Sequence, residues 1–487
     1  MPWPESERHA WPWVVPPIVL TLLVYFSITR NYFFTDDFLQ MYFIADLRPL
    51  EYLVLQNAGH TWVVRNAVFL LSRLWFGTNP EYFFWTVLLT HLLNVGLLWC
   101  LVWRLTGSPR LACFGAALWG TSPLQEGALG WYAAYGHVMA TTAMMIFLVH
   151  LATICPRGSK PGRFALTGWY VLALVGSLSF GDGIGIAMTF PLVIMLLLPS
   201  WRSYWRRPPL LSLWLVAPLL HFGLQWLNQR LFEPPLAGNP LQSMNALVVV
   251  QGMMRMMAFG VEYLLFGAMP VPAPTSMFPA YVMFAVFLAL AIAVALRAPA
   301  TISRQLAACA LLALAAYGLI ALGRGLLVAL ATPWHLMTMS RYQYAPLIPV
   351  TLALCVLLNQ LATSWRLPAA FRSGALATWL TVTAAAALLS PLRIDHHDQS
   401  RLATERTLGN INAQINARRP GESVYFRAGS WEWQAFVTFF PANTVDGRRV
   451  YFVTPGGAPH LPFRGRRTAT LFVSPDEVER DAGAEER

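Results

Sequence analysis

Apolar residues run in long blocks along this chain, separated by short stretches that are polar and mostly basic. Blocks of about 20 apolar residues cross a bilayer as helices, because only a helix satisfies its own backbone in lipid. The pattern predicts about eleven spans. The first is Trp13–Ile28, followed by Tyr82–Leu105, Leu111–Pro123, His137–Ile154, Phe164–Phe180, Ile184–Leu198 and Leu210–Leu231. The remainder are Met277–Leu296, Leu306–Leu322, Leu347–Leu361 and Ala375–Leu389. Leu247–Ala268 breaks the pattern: Gln251, Arg255 and Glu262 interrupt it and its methionines fall on several faces, so it is expected to be interfacial or re-entrant.

Between the first two spans, residues 29–80 are too polar to cross and too aromatic for a free loop. Within them Val63–Phe76 alternates apolar residues with Arg65, Asn66, Ser72 and Arg73, the spacing of an amphipathic helix at a membrane surface. From Pro391 the apolar runs shorten. Leu402–Ala417 has helical spacing, Ser423–Phe426 and Arg449–Thr454 read as strands, and Pro420-Gly421 and Pro455-Gly456-Gly457 read as turns. The expected organisation is mainly α: a polytopic domain over 1–390 with outer loops 29–80 and 122–137, a small α/β extracytoplasmic domain over 391–475, and a disordered tail over 476–487.

Composition sharpens this picture. The chain has 487 residues, 56% hydrophobic and 12% charged, with a mean hydropathy of +0.49, which excludes a soluble domain. Its net charge of +11 is carried almost wholly by arginine. With a cytoplasmic N-terminus, the inner loops hold Arg104 and Arg110, then Arg157, Lys160 and Arg163, then Arg202, Arg206 and Arg207, then Arg297 and Arg304, and finally Arg366 and Arg372, with no acid among them. That is the positive-inside pattern, so the basic balance marks topology and membrane lipid contact, not nucleic acid. The same parity places the C-terminal domain outside, provided Leu247–Ala268 does not cross. Cys100, Cys113, Cys155, Cys309 and Cys355 lie in or beside apolar segments with no metal or redox spacing, as buried inert thiols do.

The candidate chemistry gathers in the outward loops. Asp36 and Asp37 follow the first span at the lipid–water boundary, where a charge is costly. Carboxylates there take a proton from a hydroxyl or hold a divalent metal; the structural alternative is helix capping after Thr35. Arg48, Glu51, Asn57, His60, Arg65 and Asn66 follow. In the second outer loop, Glu126, Trp131, Tyr135 and His137 sit among glycines, with Trp131 and Tyr132 readable as interfacial anchors. Late in the chain come Arg324, His335, Arg341 and Tyr342. Arginine on the outer face runs against the positive-inside bias; it suits a phosphate or an ion pair with an acid of these loops. His91 reads as a hydrogen-bonded packing residue, Asp182 as a helix cap or a cavity residue, and His396-His397 as a weak metal signal.

The order of these features resembles the polytopic glycosyltransferases of the C superfamily, which include protein O-mannosyltransferases and aminoarabinose lipid A transferases. The acidic pair after the first span, Arg65, Phe76-Gly-Thr-Asn-Pro80, Leu89-Thr-His91-Leu-Leu-Asn94-Val-Gly-Leu-Leu98, Ala116-Ala-Leu-Trp-Gly-Thr-Ser-Pro123-Leu-Gln-Glu126 and Ser340-Arg-Tyr342 carry it. The motifs cover residues 1–200 well and the rest by architecture. The resemblance implies a polyprenyl-phosphate-sugar donor, a glycan, lipid or protein acceptor, and inverting transfer on the extracytoplasmic side of a bacterial inner membrane. It matches Asp36 to the leading acid, a general base, Asp37 to the second acid, which orients or binds, and Glu126 to the acid of the second loop. Arg341 falls to the donor phosphate; Tyr342, His137 and Arg324 join it as expected substrate-binding residues, as do His60 and Arg65 by proximity. The pair here is Asp-Asp where the best-studied members have Asp-Glu. No motif demands a cofactor, and a divalent metal stays open. The competing readings are an O-antigen ligase or polymerase, which would centre on a large late outer loop, and a transporter or flippase of lipid-linked sugars, which would show matched halves with broken helices.

Overall fold

The computed structural model describes residues 10–34, 36–57, 60–154, 161–198, 211–231, 245–266, 276–365, 368–389, 391–427, 444–445, 448–453 and 472–473. Each expected span overlaps a helix among the described residues. Seven helices among the described residues are long and apolar enough to cross a membrane: Trp11–Arg30, Pro80–Thr106, Tyr132–Ile154, Ala246–Phe266, Phe278–Arg297, Ala300–Leu330 and Leu347–Ser364; Gly181–Leu197 is a shorter apolar one. Pro109–Gly120, Arg163–Ser179, Leu213–Leu231 and Ala369–Leu389 are also helical. Their outer surfaces are those of helices in lipid. On Phe278–Arg297 only Ala280, Phe284 and Val294 are buried, while Val282, Val286, Leu288, Leu290, Ile292 and Leu296 are exposed.

The segment read as interfacial or re-entrant is a continuous 21-residue helix, Ala246–Phe266, and its length and hydropathy do not keep it out of a bilayer. It lies antiparallel to Ala300–Leu330, with Gly252 against Gly325 and Gly260 against Tyr317. A Cβ on Gly252 would stand 3.1 Å from the Gly325 carbonyl oxygen, so small residues set this close approach. Its Arg255 donates to the carbonyls of Ala329 and Ala331, which the end of the long helix leaves without partners. Arg255, one of the three polar residues that interrupt the segment, thus caps a helix end.

Residues after the first span form a compact platform: helices Asp36–Asp46 and Pro49–Val54, a two-residue hairpin pairing Gln56–Asn57 with His60–Thr61, and helix Val63–Phe76. The amphipathic helix has the bounds expected of it, but its polar side points inward. Arg65, Asn66 and Ser72 are buried, whereas Leu74 is 69% and Trp75 74% exposed. Lipid headgroups and acyl chains suit such an apolar outer edge far better than water does.

At the C-terminus, Pro391–Asn416 is helical and Arg448–Val453 is the central strand of a small sheet. Ser423–Arg427 and Phe472–Val473 pair with it in parallel and Thr444–Val445 antiparallel. Gly421, in the expected turn, has φ +96°, which favours glycine. The inner face of the sheet does not form a separate core. Val424, Phe426, Val450 and Phe452, with Ile411 and Ile415, pack on Tyr42, Phe43, Tyr52 and Leu55 of the platform. The turn at 455–457, the tail at 476–487, Cys155, Thr35, and the side chains of His60, His396 and His397 lie outside the described residues.

Candidate active site

The acidic pair is divided by its environment. Asp37 is fully buried. Its Oδ2 accepts from the Phe34 backbone amide at 2.9 Å and its Oδ1 from the Ala133 amide at 2.6 Å. The first bond caps the Asp36–Asp46 helix; the second reaches the other outer loop. Burial pushes the Asp37 carboxyl up to about 7, against those two bonds, which favour the charge; Asp36 adds to the rise and Arg65 opposes it. Asp36 opens the helix, is only half-buried, and keeps a route to solvent. Burial raises its pKa too, and Arg65, Arg341 and Arg324, in that order, pull it back. Three cations from three distant segments therefore act on one accessible carboxylate.

Arg65 is buried at 2% exposure. Its guanidinium donates to Gln40 Oε1 at 2.7 Å, to Asn66 Oδ1 at 2.6 and 3.1 Å, and to the Ala133 carbonyl at 3.4 Å. It also stacks 4.5 Å from the Trp62 ring centroid. Asn66 is itself fixed, donating to the carbonyls of Tyr52, Leu53 and Leu55. Ala133 is the shared anchor: its N–H serves Asp37 and its C=O serves Arg65.

Arg341 lies in the 3-10 turn Ser340–Gln343. Tyr317 Oη donates to Gln343 Oε1 at 2.6 Å, and Gln343 Nε2 donates to the Met256 carbonyl at 3.1 Å, so the turn is pinned from two helices. The Gly127 amide, in the helix opened by Glu126, donates to Ser340 Oγ at 3.2 Å. A Cβ at Gly127 would lie 2.5 Å from that hydroxyl and 2.7 Å from the Arg341 nitrogen, so only glycine lets these loops touch. The Arg341 guanidinium rests 4.8 Å from the Trp131 ring and 4.7 Å from the Tyr342 ring, with one long bond, 3.4 Å, to the Thr338 carbonyl. Arg324 is half-buried near the end of Ala300–Leu330, the part of that helix that Gly252 and Arg255 hold.

His137, at the start of the Tyr135–Ile154 helix, pairs with Asp182 through Nδ1 at 3.0 Å, both buried. Phe180 lies 3.7 Å from its ring, and the Tyr342 ring meets it edge-on at 5.8 Å. Its Nε2 is buried without a hydrogen-bond partner. Phe180 also stacks on Trp62 at 4.6 Å. A chain of cation and ring contacts thus runs from Arg65 through Trp62, Phe180, His137 and Tyr342 to Arg341 and Trp131.

Most of the residues singled out by sequence therefore converge: Asp36, Asp37, Arg65, Arg324 and Arg341 interact electrostatically or through shared partners, and His137 and Tyr342 join them through rings. Glu126 is placed beside the Arg341 turn by its helix. Glu51 instead accepts from the Arg48 backbone amide at 2.9 Å and caps the Pro49–Val54 helix. His91 bridges Tyr344 Oη and the Gly120 carbonyl, a packing role. Sequence reasoning missed Gln40, although it lies one helical turn from Asp36, on the same face. It also undervalued Asp182 and Trp131. Among the described residues no group of three or more His, Cys, Asp or Glu side chains stands ready to hold a metal ion.

Fold and site together define a polytopic helical membrane protein with an acidic and arginine-lined centre where the loop after its first apolar helix meets the loops around Ala133 and Arg341. No family model matches the chain, and no curated protein does. Among solved structures it is similar to the crystal structure of ArnT from Cupriavidus metallidurans bound to undecaprenyl phosphate. The match has a TM-score of 0.52 at 12% identity, over 96% of this chain and 91% of that one. The likeness shows the fold, and the resemblance read from the outer-loop motifs holds at that level.

Proposed function

We propose that the chain is a membrane glycosyltransferase that moves a sugar from a polyprenyl-phosphate carrier to an acceptor hydroxyl on the extracytoplasmic side of a bacterial inner membrane. The observation that carries this reading is the state of Asp36: a half-buried, reachable carboxylate in the field of Arg65, Arg341 and Arg324. A solved structure of the same fold binds undecaprenyl phosphate, which supports the donor class.

The chemistry follows from these groups. The acceptor hydroxyl attacks the anomeric carbon opposite the leaving phosphate, so the configuration inverts. The C–O bond to phosphate breaks, and its electron pair leaves with the polyprenyl phosphate. Asp36 takes the hydroxyl proton as the new bond forms, a general-base contribution of about 10²–10⁴-fold. Arg341 and Arg324 meet the charge that grows on the phosphate; guanidinium forks suit phosphate oxygens, and a partly dry site strengthens the attraction. Asp37, with both oxygens committed to backbone amides, orients Asp36 and the second loop and takes no proton from substrate.

The test is mass spectrometry of the protein purified in mild detergent, then incubated with polyprenyl-phosphate sugars and a membrane lipid extract. A copurified polyprenyl lipid and release of polyprenyl phosphate on incubation are expected. Neither signal, from folded protein, would remove the reading.

A further inference from the structure

Arg65 is a buried cation, and stability alone would give it a carboxylate partner. Among the described residues it makes no ion pair with a carboxylate; its side-chain acceptors are the amides of Gln40 and Asn66. Gln40 is an expensive choice. It is fully buried, its Oε1 accepts from Arg65 at 2.7 Å and from Tyr52 Oη at 3.1 Å, and its Nε2 has no hydrogen-bond partner. A glutamate of the same shape would keep both accepted bonds, neutralise the guanidinium and leave no donor stranded. A buried unsatisfied N–H costs about 1–3 kcal/mol. The sequence forgoes both gains at a position one helical turn from Asp36.

We propose that Gln40 is a positioning residue that holds Arg65 through a neutral acceptor, so that the buried guanidinium stays uncompensated and its field falls on Asp36. The inference rests on the reading of Asp36 as the base, and it deepens that reading. The charged or titratable groups that act on Arg65 are Tyr52, Asp36 and Asp37. Those that act on Asp36 are Arg65, Arg341 and Arg324, with Asp37 beside it. Tyr52 stays neutral, because burial pushes its hydroxyl well above the usual phenol range. Arg65 is thus the largest of the influences that keep Asp36 charged when it is dry, and an amide at position 40 leaves that influence free to reach it. A carboxylate there would divert Arg65 and add a like charge on the same helical face.

Gln40→Glu tests this in the full-length protein, with Arg65→Met as the second variant. The readouts are the pH dependence of transfer and, independently of activity, the pH dependence of carbodiimide labelling of Asp36, followed by peptide mass spectrometry. Gln40→Glu should melt at or above the wild-type temperature, while the Asp36 labelling midpoint and the acidic limb of transfer move up by about one pH unit. Arg65→Met should move the labelling midpoint in the same direction. An unchanged midpoint in both variants overturns the inference. Shifted midpoints in a protein whose wild type transfers nothing uphold the electrostatic role of Gln40 and overturn the transferase reading instead.

Discussion

Asp37 and Ala133 are joined by a 2.6 Å hydrogen bond across 96 residues of sequence. The same Ala133 receives Arg65 on its carbonyl, so the backbone of one residue ties the acidic helix, the buried cation and the second loop together. Both oxygens of Asp37 are committed, one to each loop. That leaves Asp36 as the accessible member of the pair and fixes where its carboxylate stands.

Replacing Asp37 with Asn puts an NH₂ group against one of two amide donors. The lost bond and the stranded donor should lower stability by about 1–3 kcal/mol, and transfer should fall with it. Thermal melting in detergent reads the first effect. It also has a pH signature. Burial raises the folded-state pKa of Asp37 to about 7, so the stability this carboxyl contributes is complete below its unfolded value and is lost as pH rises through about 7. The melting difference between wild type and Asp37→Asn should therefore narrow from pH 5 to pH 8.5. A difference that widens over that range would reverse the sign.

Gly127→Ala should separate the second outer loop from the Arg341 turn, because its methyl has no room beside Ser340 Oγ and the Arg341 nitrogen. Overpacking of this kind costs about 1–3 kcal/mol. Since the displaced residue is Arg341, donor KM should rise more than stability falls. A Gly127→Ala protein with unchanged KM would detach Arg341 from donor binding.

Asp182→Ala removes the partner of His137 Nδ1. With Nε2 already unpartnered, the imidazole would be left with no hydrogen bond in a buried site, a loss of about 1–3 kcal/mol. The measurable outcome is a lower melting temperature that His137→Phe in the same background partly restores, because a ring of similar shape keeps the contacts with Phe180 and Tyr342. Failure of that rescue would mean the pair contributes through something other than polar burial.

How much of this was legible in the sequence depends on distance along the chain. The helices were legible, since about 20 consecutive apolar residues have one physical meaning. So were Val63–Phe76, from its local periodicity, and the strands Ser423–Arg427 and Arg448–Val453, from short apolar runs bounded by turns. Asp36 and Asp37 stood out as costly charges, but their division of labour did not, because it depends on the amide of Ala133. Gln40 stayed hidden because an amide in a helix carries no signal until its partner is known to be a buried arginine. The role of Arg255 in Ala246–Phe266 was hidden for the same reason: it looked like a charge that lipid would reject, and it caps a helix end about 75 residues downstream. The contact of the C-terminal sheet with Tyr42 and Phe43 could not be read either, since apolar strand residues do not announce what they will cover.

The central claim is that Asp36 is the base, and transfer by Asp36→Asn from a polyprenyl-phosphate sugar, measured beside its melting temperature at pH 8, tests it most directly. The raised pKa of Asp36 means that its charge is unfavourable in the folded protein at that pH. The neutral amide should therefore melt at or above the wild-type temperature while transfer drops by about 10²–10⁴-fold. A folded Asp36→Asn protein that transfers sugar at the wild-type rate would contradict the claim.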